Sequence, residues 1–234
     1  TVIQTYSSQV LGVGFIKGTG VVVTLQTPSS QCYANIAFWD VFMQNTMIAS
    51  LSLNENEGIV TSMAYSSLYS LLFVGTTKGT VFTIDIKTFQ IINRFRIYSL
   101  HSHKSKKKDK KDKEKKEKEK DKDKDKKEKK DKEKKLTKKE IKEKVCGVSA
   151  MFIDDDQTFL ATGSTNGKLK IWDILTSKLL QHEKVFGDKN KKVEVTSIDF
   201  YNNIFCVSGG QQIKLFNYTL PQHMHSHKHK HEKK

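Results

Sequence analysis

Five histidines near the C-terminus, His223, His225, His227, His229 and His231, alternate with other residues, so an extended strand would set all five imidazoles on one side. Such a tract binds transition metals loosely. It lacks the mixed Cys/His spacing of a folded zinc site, and nothing in it would fix a geometry. The expectation is a disordered tail whose charge responds to pH, with no resident metal and no cofactor. Asp154, Asp155 and Asp156 are hard-cation ligand types, but three consecutive residues cannot all point inward. We expect a solvated acidic turn between two strands. Cys32, Cys146 and Cys206 are odd in number and widely spaced, and Cys206 falls in an apolar run where a free thiol packs as a small hydrophobe. His101 and His103 flank a charged block, and His182 reads as a loop residue; none has an evident partner. No phosphate-binding glycine loop, nucleophile elbow or convergent carboxylate pair is present in the sequence, which argues against an enzyme.

The charged block is the remaining candidate. The whole chain carries a formal net charge of +15. Lys104 to Lys144 holds 24 Lys against 13 Asp and Glu, or +11, and Gln222 to Lys234 adds +3, which leaves about +1 elsewhere. A polybasic block can tether RNA or anionic lipid by counterion release. Its acids neutralise much of that field, and it has neither the Arg nor the aromatics that phosphate binders interleave. With only Leu136 and Ile141 apolar, it cannot bury enough surface to fold alone. It reads as a solvated low-complexity loop, which costs little because closure entropy grows only logarithmically with length.

What positions everything else is a repeat. Gly75-Thr-Thr-Lys-Gly-Thr-Val-Phe-Thr-Ile-Asp85, Gly163-Ser-Thr-Asn-Gly-Lys-Leu-Lys-Ile-Trp-Asp173 and Gly209-Gly-Gln-Gln-Ile-Lys-Leu-Phe-Asn217 share one pattern, and Asn35-Ile-Ala-Phe-Trp-Asp40 ends a weaker copy. Asp40 to Asp85 is 45 residues and Asp173 to Asn217 is 44; the middle interval of 88 falls to 47 without the 41-residue block. A period of that length closing on Trp-Asp signals propeller blades. Each period divides into short strands. The best copy predicts strands over Val148–Ile153, Thr158–Thr162 and Lys168–Trp172, with a fourth beginning between Leu175 and Leu180. Ile59–Tyr65, Ser70–Val74, Thr80–Asp85 and Phe89–Ile97 repeat the pattern, as do Val193–Phe200, Ile204–Ser208 and Gln212–Phe216. Asn166-Gly167 and Lys78-Gly79 predict hairpins, with positive φ at both central positions of the Asn-Gly turn.

These motifs resemble the WD-repeat family over roughly residues 8 to 98 and 145 to 218, most specifically at Leu160-Ala-Thr-Gly-Ser-Thr-Asn-Gly-Lys-Leu-Lys-Ile-Trp-Asp173. The resemblance implies an all-β fold, a WD-repeat β-propeller segment of about four blades. It makes Trp39, Asp40, Asp85, Thr162, Trp172, Asp173 and Asn217 structural rather than catalytic. The family's blade-bracing His is absent from every copy, and Asn166 stands where its turn Asp would be, which implies looser blades. The expected organisation is two blades over 1–98, a disordered Lys/Asp/Glu-rich insert over 99–144, two more blades over 145–220 and a His/Lys-rich tail over 221–234.

The order of features also resembles the C-terminal repeats of the DmX-like (rabconnectin-3) proteins. The first copy has an extended loop before its Trp-Asp, Val22 to Val41; the second ends Ile84-Asp85; the third is strong; and the last reads Asn203-Ile-Phe-Cys-Val-Ser-Gly-Gly210. That resemblance implies a scaffold that regulates vacuolar-type proton-pump assembly and acidification, with pump subunits or assembly factors as partners. A nucleic-acid-associated WD protein of ribosome biogenesis or RNA processing, tethered through Lys104–Lys144, is the alternative, followed by a transport or cytoskeletal scaffold. Four blades do not make an obvious ring, so upstream blades of the same protein are expected, and the isolated arc should be unstable or adhesive through its uncovered faces and edges. No apolar run approaches the roughly 18 residues that span a bilayer; reduced cysteines and a lysine-rich loop fit the cytoplasm, and the resemblance implies a peripheral place on endomembranes.

Overall fold

Fifteen short strands, rich in β-branched and aromatic residues and broken by Gly, Asn and Asp, build four separate antiparallel sheets. A computed structural model describes residues 2–43, 46–98, 146–187 and 192–218; the lysine-rich insert with His101 and His103, and the His-rich tail, lie outside the described residues. The first sheet is β1 (Gln9–Ile16), β2 (Val21–Thr27), β3 (Ile36–Asp40) and β4 (Thr46–Leu51), and the second is β5 (Val60–Ser66), β6 (Leu71–Thr76), β7 (Thr80–Asp85) and β8 (Gln90–Arg96). The third is β9 (Val148–Ile153), β10 (Phe159–Ser164), β11 (Lys168–Asp173) and β12 (Leu179–Lys184). The fourth has three strands, β13 (Ser197–Tyr201), β14 (Ile204–Gly209) and β15 (Gln212–Asn217). Strands follow chain order within each sheet, so every connection is a local hairpin, and one 3-10 turn at Glu55–Glu57 is the helical content of the described residues. The described residues thus form an all-β fold of four antiparallel sheets in series, the arrangement expected of propeller blades.

The turns differ in detail from the sequence expectation. Gly79 (φ 74°) and Gly167 (φ 77°) are left-handed, whereas Lys78 and Asn166 are not. Each glycine N–H closes back on the strand before it, Gly79 onto Thr76 O at 2.9 Å and Gly167 onto Ser164 O at 3.0 Å. These are three-residue turns ending in one left-handed glycine, so only that residue needs freedom from a Cβ. The fourth strand of the third blade starts at Leu179, inside the expected span, because Asp173 Oδ1 accepts from both the N–H (2.7 Å) and the hydroxyl (2.6 Å) of Thr176 and holds a turn before it. His182 consequently lies on β12, opposite Lys170, and not in a loop.

Packing between blades uses both faces of the second and third sheets and one face of the first and fourth. Ile16, Val23, Leu25, Ile36 and Phe38 of the first sheet meet Val60, Leu72, Val74 and Ile84 of the second. Phe159, Ala161, Leu169 and Ile171 of the third meet Val195, Ile198, Phe205 and Val207 beside and within the fourth. Between the second and third, Phe95 lies against the Trp172 ring at 4.8 Å between centroids. Two hydroxyls repeat one contact: Thr61 donates to Val148 O at 2.7 Å, and Ser149 donates to Val195 O at 2.6 Å. The penultimate glycine of the second strand makes room for the same approach. A Cβ on Gly75 would sit 2.6 Å from Val148 Cγ1, and one on Gly163 would sit 2.4 Å from Val195 Cγ1. Close-packed interiors tolerate no such overlap without backbone shifts.

Candidate protein-interaction surface

The Trp-Asp positions divide into two jobs. Each closing acid caps the turn that follows it: Asp40 Oδ1 accepts from Phe42 N at 2.8 Å, Asp85 Oδ1 from Lys87 N at 2.8 Å, and Asp173 Oδ1 from Thr176 N at 2.7 Å. Trp172 Nε1 donates to Thr162 Oγ1 at 2.9 Å, inside the third blade. The first blade has the same pair, Trp39 Nε1 to Thr24 Oγ1 at 3.0 Å, and Thr24 passes its own proton to Gln26 Oε1 at 3.1 Å. Thr24 was not identified from sequence, because the long loop over 28–35 displaces it from the spacing of the other copies. The second and fourth blades put Val74 with Ile84, and Val207 with Phe216, at the equivalent places. Asn166 does not substitute for a bracing Asp; its Oδ1 accepts from Ser164 Oγ at 2.7 Å within the turn.

Asp154 overturns the expected solvated acidic turn. It is buried, and its carboxylate accepts from Thr158 N, Phe159 N and Thr158 Oγ1, each at 2.8 Å. Three consecutive acids can split, one inward and two outward, when the inward one closes the loop. Burial pushes the Asp154 carboxyl up, against the pull of those hydrogen bonds. Tyr218 is buried, its hydroxyl has no hydrogen-bond partner among the described residues, and its pKa is pushed up to about 12 by burial and then by the Asp154 charge. The three cysteines are free; burial raises the Cys146 thiol, and no metal-binding cluster occurs among the described residues.

Surfaces open to a partner include the cleft between the first strands and the outward faces of the first and fourth sheets. The first strands of all four sheets border a cleft of about 290 Å³ that includes Thr61, Ser62, Thr196 and Ser197. At the first sheet, the outward face is partly covered: Ile3 packs on Val22, Ala37 and Trp39. At the fourth, Tyr201, Ile204, Ile213 and Leu215 are exposed, Ile213 at 71% and Leu215 at 68%. The hydroxyl of Thr196, equivalent to Thr61 and Ser149, pairs within its own sheet with Ser208 at 2.9 Å.

Residues 137–173 match the family described as WD domain, G-beta repeat, so a WD40 repeat is present and ends on Asp173. Among solved structures, the chain is similar to the computationally designed Ika4 protein, at 17% identity over 93% of this chain and 96% of that one, with a TM-score of 0.57. It is also similar to the computationally designed Ika8 protein, at 18% identity and a TM-score of 0.52, over 89% of this chain and 45% of that one. The likeness at these identities is one of fold, and the chain spans less than half of the Ika8 chain. No curated protein matches the sequence.

Proposed function

We propose that this chain is a non-catalytic protein-interaction platform. The observation that carries the reading is the last sheet, whose outward face sets Tyr201, Ile204, Ile213 and Leu215 in solvent although it belongs to a fold that buries such faces between blades. Contiguous apolar surface of this kind marks a contact site. WD40 repeats serve as such platforms, and the repeat at 137–173 supports the same role here. As specific partner we propose subunits or assembly factors of the vacuolar-type proton pump, with the chain peripheral on endomembranes; the support is the DmX-like order of its repeats. No helix among the described residues is long and apolar enough to cross a membrane. The +11 block keeps a nucleic-acid tether as the competing reading. Affinity purification from native cytosol, with and without nuclease, decides between them when the intact chain is compared with one lacking Lys104–Lys144. Pump subunits retained after both treatments are the expected result. Partners that vanish with either treatment overturn it.

A further inference from the structure

The fourth sheet stops one strand short. In the other three, the strand ending in the closing Asp pairs with a fourth strand, β4, β8 or β12, whereas β15 has β14 on one side and no described strand on the other. Its hydrogen-bond phase is fixed by Tyr218 N, which donates to Asn203 O at 2.7 Å. In an antiparallel ladder, alternate residues turn both backbone groups to the same neighbour. Gln212, Lys214 and Phe216 therefore face β14, and the N–H and C=O groups of Ile213, Leu215 and Asn217 point to the open edge. The third blade has the same phase: Ile174 N donates to Thr158 O, and the outward Asp173 N reaches the carbonyl of Lys178. Beside this edge runs a groove of about 550 Å³ between β12 and β15, bordered by Gln181, Glu183 and Val185 on one side and by Lys214 on the other.

The return turn of the second and third blades is not open to the residues that follow Asn217. In the second and third blades, the return turn needs a left-handed residue four positions after the closing Asp, Phe89 at φ 54° and Ser177 at φ 55°. Four positions after Asn217 stands Pro221, whose ring holds φ near about −65° and forbids that conformation. Among the described residues the edge is open, with apolar side chains and an adjoining groove, and Pro221 bars the return turn of the second and third blades, so the edge calls for a strand from elsewhere.

We propose that the edge of β15 takes an extended segment of another protein as the fourth strand of the last sheet, apolar opposite Leu215 and Ile213 and small and polar between them. The first blade shows the pattern such a segment would follow: Ala49 and Leu51 of β4 lie opposite Phe38 and Ile36, the counterparts of Leu215 and Ile213, with Ser50 opposite Ala37, the counterpart of Lys214. Backbone bonds along the edge supply affinity, and the alternate side chains supply selection. This deepens the platform reading by naming the chemistry of one partner segment.

The test titrates a fluorescently labelled peptide with the sequence of Thr46–Leu51 into the full-length chain and reads anisotropy. Saturable binding is expected. Leu215→Pro removes an outward N–H and no bond to β14, so the sheet survives, checked by circular dichroism, while affinity falls about tenfold or more. Ile213→Lys keeps every backbone group and weakens binding severalfold, and Ile92→Lys, an exposed change on β8, leaves it unaltered. Absence of binding to the unmodified chain, or equal affinity for Leu215→Pro, overturns the site. So does a dimer in sedimentation that dissolves with Leu215→Pro, which makes a second copy the occupant. Truncation after Leu220 that raises peptide affinity tenfold assigns the place to the chain's own tail and overturns it too. Pump subunits still retained from cytosol when the peptide fails would sink this site alone and leave the platform reading standing.

Discussion

Asp154 shows how a buried acid can serve the fold while costing desolvation. Its three accepted hydrogen bonds close the loop between β9 and β10. Asp154→Ala would strand the buried Phe159 N–H together with the half-buried N–H and hydroxyl of Thr158, a loss of about 2–3 kcal/mol. Asp154→Asn keeps an acceptor for both N–H groups and offers its amide to Thr158 Oγ1, so denaturant unfolding should place it within about 1 kcal/mol of the parent. The pH dependence has a definite sign. A carboxyl whose folded value lies above its unfolded one, about 3.9, holds its proton more tightly in the fold. Its contribution is fully present below that unfolded value and is lost as pH rises through the folded one. Asp154→Asn should flatten that fall; an unchanged pH profile would refute the assignment. Tyr218 follows the same rule at the alkaline end: stability should fall between about pH 10, the unfolded value, and about 12. Tyr218→Phe removes this fall and, by deleting a hydroxyl without a described partner, should leave the thermal midpoint unchanged or higher.

At the scale of the element, the Thr–Trp pair is exchangeable. The first and third blades join the second strand to the third by an indole N–H and a threonine hydroxyl, while Val74 with Ile84 and Val207 with Phe216 do so by apolar contact. Thr162→Val alone orphans the Trp172 N–H, and Trp172→Phe alone leaves the Thr162 hydroxyl without its donor; each should cost about 1–2 kcal/mol. The double change reproduces the fourth blade's chemistry, so its cost should be less than the sum by about 1 kcal/mol in a double-mutant cycle. Strict additivity would mean that the hydrogen bond carries no coupling. Strand positions were legible because alternation and the Asp spacing are local signals; β7, for instance, runs Thr80–Asp85 as the pattern predicts. The inter-blade devices were not legible. Gly75 and Gly163 look like turn punctuation until Val148 and Val195 are seen against them, and Asp154 looks solvated until the loop folds around it.

For the whole molecule, the question is what the charged block does to the arc that carries it. It enters after Ile97, buried and held by a bond from its N–H to Gly79 O at 2.9 Å, and the chain resumes at the buried Cys146. In chain order the block therefore links the outer strand of one blade to the first strand of the next. The comparable links run over 52–59 and 185–196, and deleting Lys104–Lys144 would leave a link of similar length, 97–103 joined to 145–147. Shortening a link from about 50 residues to about 10 lowers its closure cost by about 1–2 kcal/mol, because the cost follows the logarithm of length. The deletion should raise the thermal midpoint by a few degrees. It should also remove +11 of the +15 charge. Any retention on a phosphate-bearing matrix that weakens steeply with added salt should then disappear, whereas peptide binding at β15, which depends on backbone groups and apolar side chains, should not change. A deletion that lowered the midpoint by several degrees would show that the block braces the blades, and the division into a folded arc and a charged appendage would fail.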